Sequence, residues 1–220
     1  PNVDINLPNQ YDRTPLILAI CQRNGTDALN ALIHQLLDRD DIGPSINYAD
    51  KDSHTPLFGA IEFKRYDIIS RLLEYPSISE SINRPNIYGV TPFLYAIDNE
   101  EEDIAWQLFN HRYITDFSIN HSDEKKIVPL LTAIENIPKL ALKLLEHPSI
   151  SASINEANKY GVTPIKAAIT MRQVEIAKQL IKHPNISKKS LNQADIFSRS
   201  TPLHEAIDYN LTDVIFQLID

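Results

Sequence analysis

The chain has one cysteine, Cys21, in 220 residues. That excludes an internal disulfide framework, and a lone thiol suits a reducing compartment. Long apolar runs are also missing, since no stretch approaches the roughly 18 residues of a membrane span. The opening Pro1-Asn2-Val3-Asp4 offers neither the basic nor the apolar region of a secretory signal. Basic residues are in deficit, 21 against 29 acidic, for a net charge of −8. The balance argues against nucleic acid and anionic membranes as partners and leaves a basic protein open. Glycine is scarce, with five residues. There is no Gly-rich phosphate loop, no His-Glu-x-x-His and no paired-cysteine motif. The expectation is a chain without cofactor, metal or catalytic residues.

Proline, by contrast, is plentiful and periodic. Thr-Pro stands at Thr14-Pro15, Thr55-Pro56, Thr91-Pro92, Thr163-Pro164 and Thr201-Pro202, and Val128-Pro129 fills the gap. The intervals are 41, 36, 37, 35 and 38 residues. Eight or nine residues before each comes an apolar-Asn pair: Ile5-Asn6, Ile46-Asn47, Ile82-Asn83, Ile119-Asn120, Ile154-Asn155 and Leu191-Asn192. After each comes Ala-Ile: Ala19-Ile20, Ala60-Ile61, Ala96-Ile97, Ala133-Ile134, Ala168-Ile169 and Ala206-Ile207. A pair of large apolar residues follows, from Leu36-Leu37 to Leu218-Ile219. Four signals in one order, six times, define internal repeats.

Each signal has a physical role. Threonine caps a helix by accepting an orphan N–H of its first turn. Proline suits the first helical position, where an N–H would have no intrahelical partner. Alanine keeps this inner helix slim enough to stack. A second, outer helix carries apolar residues at helical spacing, as in Ile176, Ala177, Leu180 and Ile181. It ends at Tyr75-Pro76, His147-Pro148 or His183-Pro184, where proline blocks continuation. Turn formers such as Asn86-Ile87-Tyr88-Gly89 then predict a hairpin-like loop.

This arrangement resembles the ankyrin repeat. Thr201-Pro202-Leu203-His204-Glu205-Ala206-Ile207 is close to that family's signature, and Gly89 and Gly161 hold its hairpin glycine. The resemblance implies an all-α solenoid of stacked helix-turn-helix units, one domain over residues 1–220. Its repeats span about 4–46, 47–82, 83–119, 120–154, 155–191 and 192–220. Four departures stand out. The family's second alanine is isoleucine in every copy. The glycine between the two helices is replaced by Lys64, Glu100, Arg172 and Asn210. Repeat four has neither Thr nor hairpin Gly (Asp123 to Ile127), so it is expected to be the least regular, and repeat one carries extra residues around Thr26–Ala31. Neither end carries the polar cap that solenoids need, which predicts an excerpt of a longer protein.

The resemblance implies a protein-binding module whose hairpins and inner helices line a concave groove. Two stripes fall there. The aromatic stripe is Tyr11, Tyr88, Tyr160 and Phe197, just before the hairpin glycine or its equivalent. The acidic one is Glu62, Asp98, Glu135 and Asp208, just after Ala-Ile, with Phe63, Asn99 and Tyr209 beside it and Glu100–Asp103 extending it. Together they point to a protein segment that is basic and partly apolar. The same residues also admit a plain structural role, the tyrosines packing on neighbouring hairpins and the acids keeping a helix face soluble. His111, His147 and His183 recur at outer-helix ends, too far apart to share a metal. His204 is expected to bond the hairpin backbone. Cys21, with His54 the only histidine placed near it, reads as a small hydrophobe rather than a nucleophile. The expectation is a monomeric, cytoplasmic scaffold or recruiter. Its Ile-, Asn- and Lys-rich repeats also resemble those of ankyrin proteins of intracellular bacteria and protists, some of them effectors in a host cytoplasm. The alternative is the targeting arm of an enzyme whose catalytic domain lies outside these residues.

Overall fold

Every Thr-Pro or Val-Pro pair opens a helix in the computed structural model, which describes residues 3–23 and 26–220. Pro1 and Asn2, part of the N-terminal segment read above, lie outside it. In chain order the first repeat contributes α1 (Pro15–Ile20), α2 (Asp27–Leu37) and α3 (Gly43–Ile46). The second gives α4 (Pro56–Glu62), α5 (Tyr66–Glu74) and a 3-10 turn at Pro76–Glu80. Then come α6 (Pro92–Asp98), α7 (Glu102–Phe109) and α8 (Asp116–Asn120). The fourth repeat holds α9 (Pro129–Asn136), α10 (Pro138–Leu145) and a 3-10 turn at Pro148–Ala152. The last two hold α11 (Pro164–Thr170), α12 (Val174–Lys182), α13 (Lys188–Asn192), α14 (Pro202–Asp208) and α15 (Thr212–Ile219). Among the described residues there is no β-strand, and the solenoid is all-α.

The threonines cap as their chemistry dictates. The Oγ1 atoms of Thr14, Thr55, Thr91 and Thr163 accept the N–H three residues on, at 3.1 to 3.4 Å. In α14, His204 Nδ1 lies 2.7 Å from Thr201 Oγ1 and takes the Thr201 N–H at 3.3 Å. That histidine therefore closes its own helix cap.

Inner helices stack on inner helices through the Ala-Ile pairs. Ile20, Ile61, Ile97, Ile134 and Ile169 are all buried, so the larger side chain is accommodated between layers. Ile207 in the last unit is exposed. Outer helices bury Ile68, Ile69 and Leu72, or Ile176, Ala177 and Leu180, against the same continuous core. At about 1.5–3 kcal/mol for each fully buried large aliphatic side chain, this core dominates the stability.

The apolar-Asn pair proves to be the end of a longer motif. Serine precedes it in five repeats, as Ser45, Ser81, Ser118, Ser153 and Ser190, all buried. Five of the six asparagines reach the return segment at the far end of their own repeat. Asn6, Asn47, Asn83 and Asn155 donate Nδ2 to the carbonyls of Asp41, Ser77, Tyr113 and Asn185 at 2.7 to 2.8 Å. Ser45, Ser81 and Ser153 return a hydroxyl to Oδ1 of Asn6, Asn47 and Asn120 at 2.6 Å. Where the return segment is an α-helix capped by Thr115 or Ser187, that residue's backbone N–H takes the place of the serine. Ser118 and Ser190 then keep hydroxyls without a protein partner.

Left-handed backbone sits where the sequence demanded it. Lys64, Glu100, Arg172 and Asn210 all have φ near +55° at the turn between helices, a conformation that costs a residue with a Cβ about 1–2 kcal/mol. Repeat four corrects one expectation. Its hairpin is regular, with Lys126 taking the positive φ of the missing glycine. The irregularity lies in the next turn, where Asn136-Ile137-Pro138 is one residue shorter: the left-handed residue is missing, and Ile137, at φ −135° and ψ 73°, holds the outer-helix N-cap position that Arg65, Glu101 and Gln173 hold elsewhere.

Candidate functional site: the concave face

Each hairpin is built on one acidic or amide side chain. Asn9, Asp50, Asn86, Asp123 and Asn158 accept, through Oδ1, the N–H groups two and four residues on. Asp195 does so two and three residues on, because its hairpin has one more residue. The left-handed residue there is Arg199. Phe197 therefore does not sit immediately before the turn residue as Tyr11, Tyr88 and Tyr160 do.

Adjacent hairpins are tied through the stripe positions. The carbonyls of Tyr11, Asp52, Tyr88 and Tyr160 accept N–H groups from Lys51, Ile87, Glu124 and Ile196 of the next repeat at 3.0 to 3.3 Å. This close approach explains Gly89 and Gly161. At φ near +78°, a Cβ on Gly89 would lie 3.2 Å from Asp123 Cα, and one on Gly161 would lie 3.2 Å from the Ala194 carbonyl.

With the backbone so fixed, the aromatic side chains project outward. Tyr11, Tyr88, Tyr160 and Phe197 are 56%, 58%, 39% and 75% exposed. They are not equivalent. Tyr160 and Phe197 lie 5.3 Å apart and shield one another, with Lys159 over the Tyr160 ring. Tyr209 carries the Arg172 guanidinium at 4.9 Å. Tyr11 and Tyr88 have no aromatic or cationic neighbour among the described residues.

The acidic stripe is contiguous in its centre. Glu62, Asp98, Glu135 and Asp208 are exposed and form no ion pair among the described residues. Glu135 keeps a water-facing edge, yet surrounding protein raises its carboxyl above the usual range, and the like charge of Asp98 adds to the shift. Burial likewise raises Tyr95, helped by Glu62 and Asp98. The extension to Glu100–Asp103 is partly spent. Glu101 is held by Lys64 Nζ and by Tyr66 Oη at 2.9 Å, and the lysine in particular lowers its carboxyl.

Two concavities open on this face. The larger, about 490 Å³, runs between repeats two and four. His54, Phe58 and Tyr95 line it together with Tyr88, and Glu62, Asp98, Asp123, Glu124 and Lys125 ring it. His54 stacks flat on Phe58 at 4.8 Å, and Tyr95 tilts onto Phe58 at 5.0 Å. The second, about 290 Å³, lies between Glu135, Val162, Met171 and Ser198. Phe63 is half-buried beside the first, and Asn99 is exposed with its amide on the Tyr95 carbonyl. A depression on the outer helices, lined by Leu73, Glu74, Gln107, His111 and Arg112, has mixed charge and only one aromatic-type ring. That ring, His111, is already bonded to the Leu73 carbonyl at 3.1 Å.

The fold observed here, six inner–outer helix pairs linked by hairpins, recurs in solved structures. A chain in the complex of the Bd0816 predatory endopeptidase from Bdellovibrio bacteriovorus with immunity protein Bd3460 aligns over 97% of this chain and 98% of its own, at 22% identity and TM-score 0.64. The ankyrin repeat domain of Bcl-3, of the IkappaB protein family, covers 99% and 86% at 21% identity and TM-score 0.66. The chain has the ankyrin-repeat fold. The ankyrin domain ABAYE2397 from Acinetobacter baumannii AYE aligns over 82% and 86%, at 22% identity and TM-score 0.63. No protein-family model matches the sequence, and no curated protein matches it.

A site the sequence reading missed sits beside the second concavity. Lys166 stands three residues after Thr163, where repeat six has His204, and is 3% exposed. Its Nζ meets Asp195 Oδ2, Ser200 Oγ at 2.8 Å and Glu205 Oε1 at 3.4 Å. Asp195 also takes the Phe197 and Ser198 N–H groups at 2.8 Å and the Ser198 hydroxyl. The lysine and Ser198 hold its carboxyl well below the usual range. Arg13 makes the equivalent ion pair at the other end, with Nε 3.0 Å from Asp50 Oδ2. Thus two of the three hairpin aspartates face a cation from the preceding ankyrin unit.

The remaining candidates take structural positions. His147 and His183 accept a backbone N–H two residues on through Nδ1, as does His111, closing the return turn. Cys21 Sγ fills the space left by Gly59, where a Cβ would lie at 2.9 Å. Burial pushes its thiol up to about 11, which leaves little thiolate at neutral pH.

Proposed function

We propose that this ankyrin solenoid is a protein-binding module that seats a basic, partly apolar segment of a partner along its concave face. The observation that carries the reading is the 490 Å³ cleft between repeats two and four, where exposed Tyr88 adjoins the unpaired carboxylates of Glu62 and Asp98. Aromatic side chains supply large contact area at low entropic cost, and unpaired acids beside them select for a cationic partner. The Bd0816–Bd3460 complex, which contains a chain of this fold, supports protein binding as its use. Within this reading the domain is a single non-catalytic, cytoplasmic, monomeric unit over residues 1–220. Tyr11, Phe63, Asn99, Glu135, Asp208 and Tyr209 widen the contact surface, and Tyr160 with Phe197 forms its far edge. Recruitment of one protein to another follows from such a surface without any chemistry of its own.

The test compares capture by the wild type with capture by Tyr88→Ala/Asp98→Asn and by an outer-helix control, Ser70→Ala/Gln107→Ala, each checked for native helicity. A protein retained by wild type and control but lost by the concave variant supports the reading. Retention that follows the outer-helix variant instead overturns it.

A further inference from the structure

The cleft between repeats two and four is more selective than a basic segment alone requires, and this deepens the binding function proposed above, on which it rests. Its floor is a run of rings, His54 on Phe58 at 4.8 Å and Tyr95 on Phe58 at 5.0 Å, with Tyr88 at the mouth. The carboxylates of Glu62, Asp98 and Glu124 around it make no hydrogen bond or ion pair among the described residues. The Tyr95 hydroxyl has no protein partner there either. Elsewhere the same chain places cations over its tyrosines. Arg112 covers Tyr113, Lys159 covers Tyr160 and Arg172 covers Tyr209, all within 4.9 Å. Among the described residues Tyr88 and Tyr95 carry none.

We infer that this cleft is an anchor pocket for one arginine side chain of the partner. A flat guanidinium stacks on an aromatic face and presents five N–H donors in a rigid fork. Free carboxylates and a free hydroxyl around an aromatic floor complement both properties at once. A lysine ammonium supplies a point charge without the stacking plane. A methylated ammonium supplies the cation–π contact but leaves the carboxylates short of donors. Lys125, at the rim, makes no ion pair among the described residues and keeps the pocket from being uniformly acidic.

The probe is Nα-acetyl-arginine amide, titrated into the isotope-labelled 220-residue domain and followed by amide chemical shifts. Its citrulline, lysine and dimethyl-lysine counterparts are titrated in parallel. The expected result is saturable shifts at Tyr88, Tyr95 and Asp98, with citrulline weaker by roughly tenfold or more because it is neutral. Glu62→Gln/Asp98→Asn should weaken arginine by a similar factor. Both side chains are exposed and unbonded, so the variant keeps its fold. Equal binding of citrulline, preference for either lysine form, shifts confined to the outer helices, or no saturable shift each overturn the inference. A basic peptide that still binds the concave face without preferring arginine leaves the proposed function standing. Loss of that peptide as well removes both.

Discussion

Replacing Lys166 with methionine keeps the length of the side chain and removes its charge. In the wild type, Nζ is 4% exposed as part of its side chain and joins Asp195, 7% exposed, to Glu205, 14% exposed. Without it, two carboxylates share a nearly dry corner. Removing one partner of a buried pair costs about 3–5 kcal/mol. Asp195 retains two backbone N–H groups and the Ser198 hydroxyl, so the low end, about 3 kcal/mol, applies. Because repeat arrays unfold in local units, the readout is amide hydrogen exchange in α14 and α15. At 1.36 kcal/mol per decade, protection there should fall roughly 100-fold or more while α4 and α6 are unchanged. Adding Asp195→Asn should restore most of it, within about 1 kcal/mol, because neutralising both members of such a pair is nearly free. Repeats three and five already use Asn86 and Asn158 at the equivalent hairpin position, with the same Oδ1 bond to the N–H two residues on. Unchanged protection in the single variant, or a double variant no better than the single, refutes the reasoning. The wild-type latch is also acid-sensitive with a fixed sign. The Asp195 carboxyl is depressed in the fold, so its contribution is complete above the ordinary aspartate range and is lost as pH falls below it.

Other consequences are simpler. Asn47→Ala should cost about 2–3 kcal/mol in denaturant unfolding, since it strands the buried Ser81 hydroxyl and the Ser77 carbonyl. Asn192→Ala, whose amide bonds only the Lys188 carbonyl of its own helix, should cost about 0.5 kcal/mol or less. Gly89→Ala should destabilise by about 1–3 kcal/mol through its positive φ and the Asp123 backbone. Lys126→Gly, at φ 60°, should instead gain up to about 1 kcal/mol. Native Cys21, with its thiol pushed up to about 11, should react with iodoacetamide at pH 8 roughly 200-fold more slowly than in the denatured chain, where a cysteine titrates near 8.5. Equal rates in the two states would show the thiol to be unshielded.

The architecture was readable because its signals are local and repeated. Thr-Pro, Ala-Ile and the paired outer leucines each act within one helix. The four residues standing in for the inter-helix glycine could be named from alignment alone, and all four take positive φ. The devices that lock distant segments together were harder to see. Ser81 to Asn47 and Lys166 to Asp195 are contacts across 34 and 29 residues, and nothing in a lone serine or lysine reveals which way it points. The serine before the apolar-Asn pair was present as a five-fold pattern and the Asx residue opening each hairpin as a six-fold one. Their polar character made them look like ordinary turn residues. Concave exposure of the aromatic and acidic stripes was legible, but their division of labour was not. Phe197 sits one residue off register, and Glu101 is held within the fold by Lys64 and Tyr66.

The central claim is that the concave face selects basic, partly apolar segments. The most direct measurement is a random-peptide display selection against the wild-type domain, with retention of the winners then measured on Glu62→Gln/Asp98→Asn and Tyr88→Ala. The account predicts winners enriched in arginine beside apolar residues, whose retention falls on both variants and weakens as salt screens the acidic stripe. Winners without basic enrichment, or retention indifferent to both variants and to salt, would contradict it.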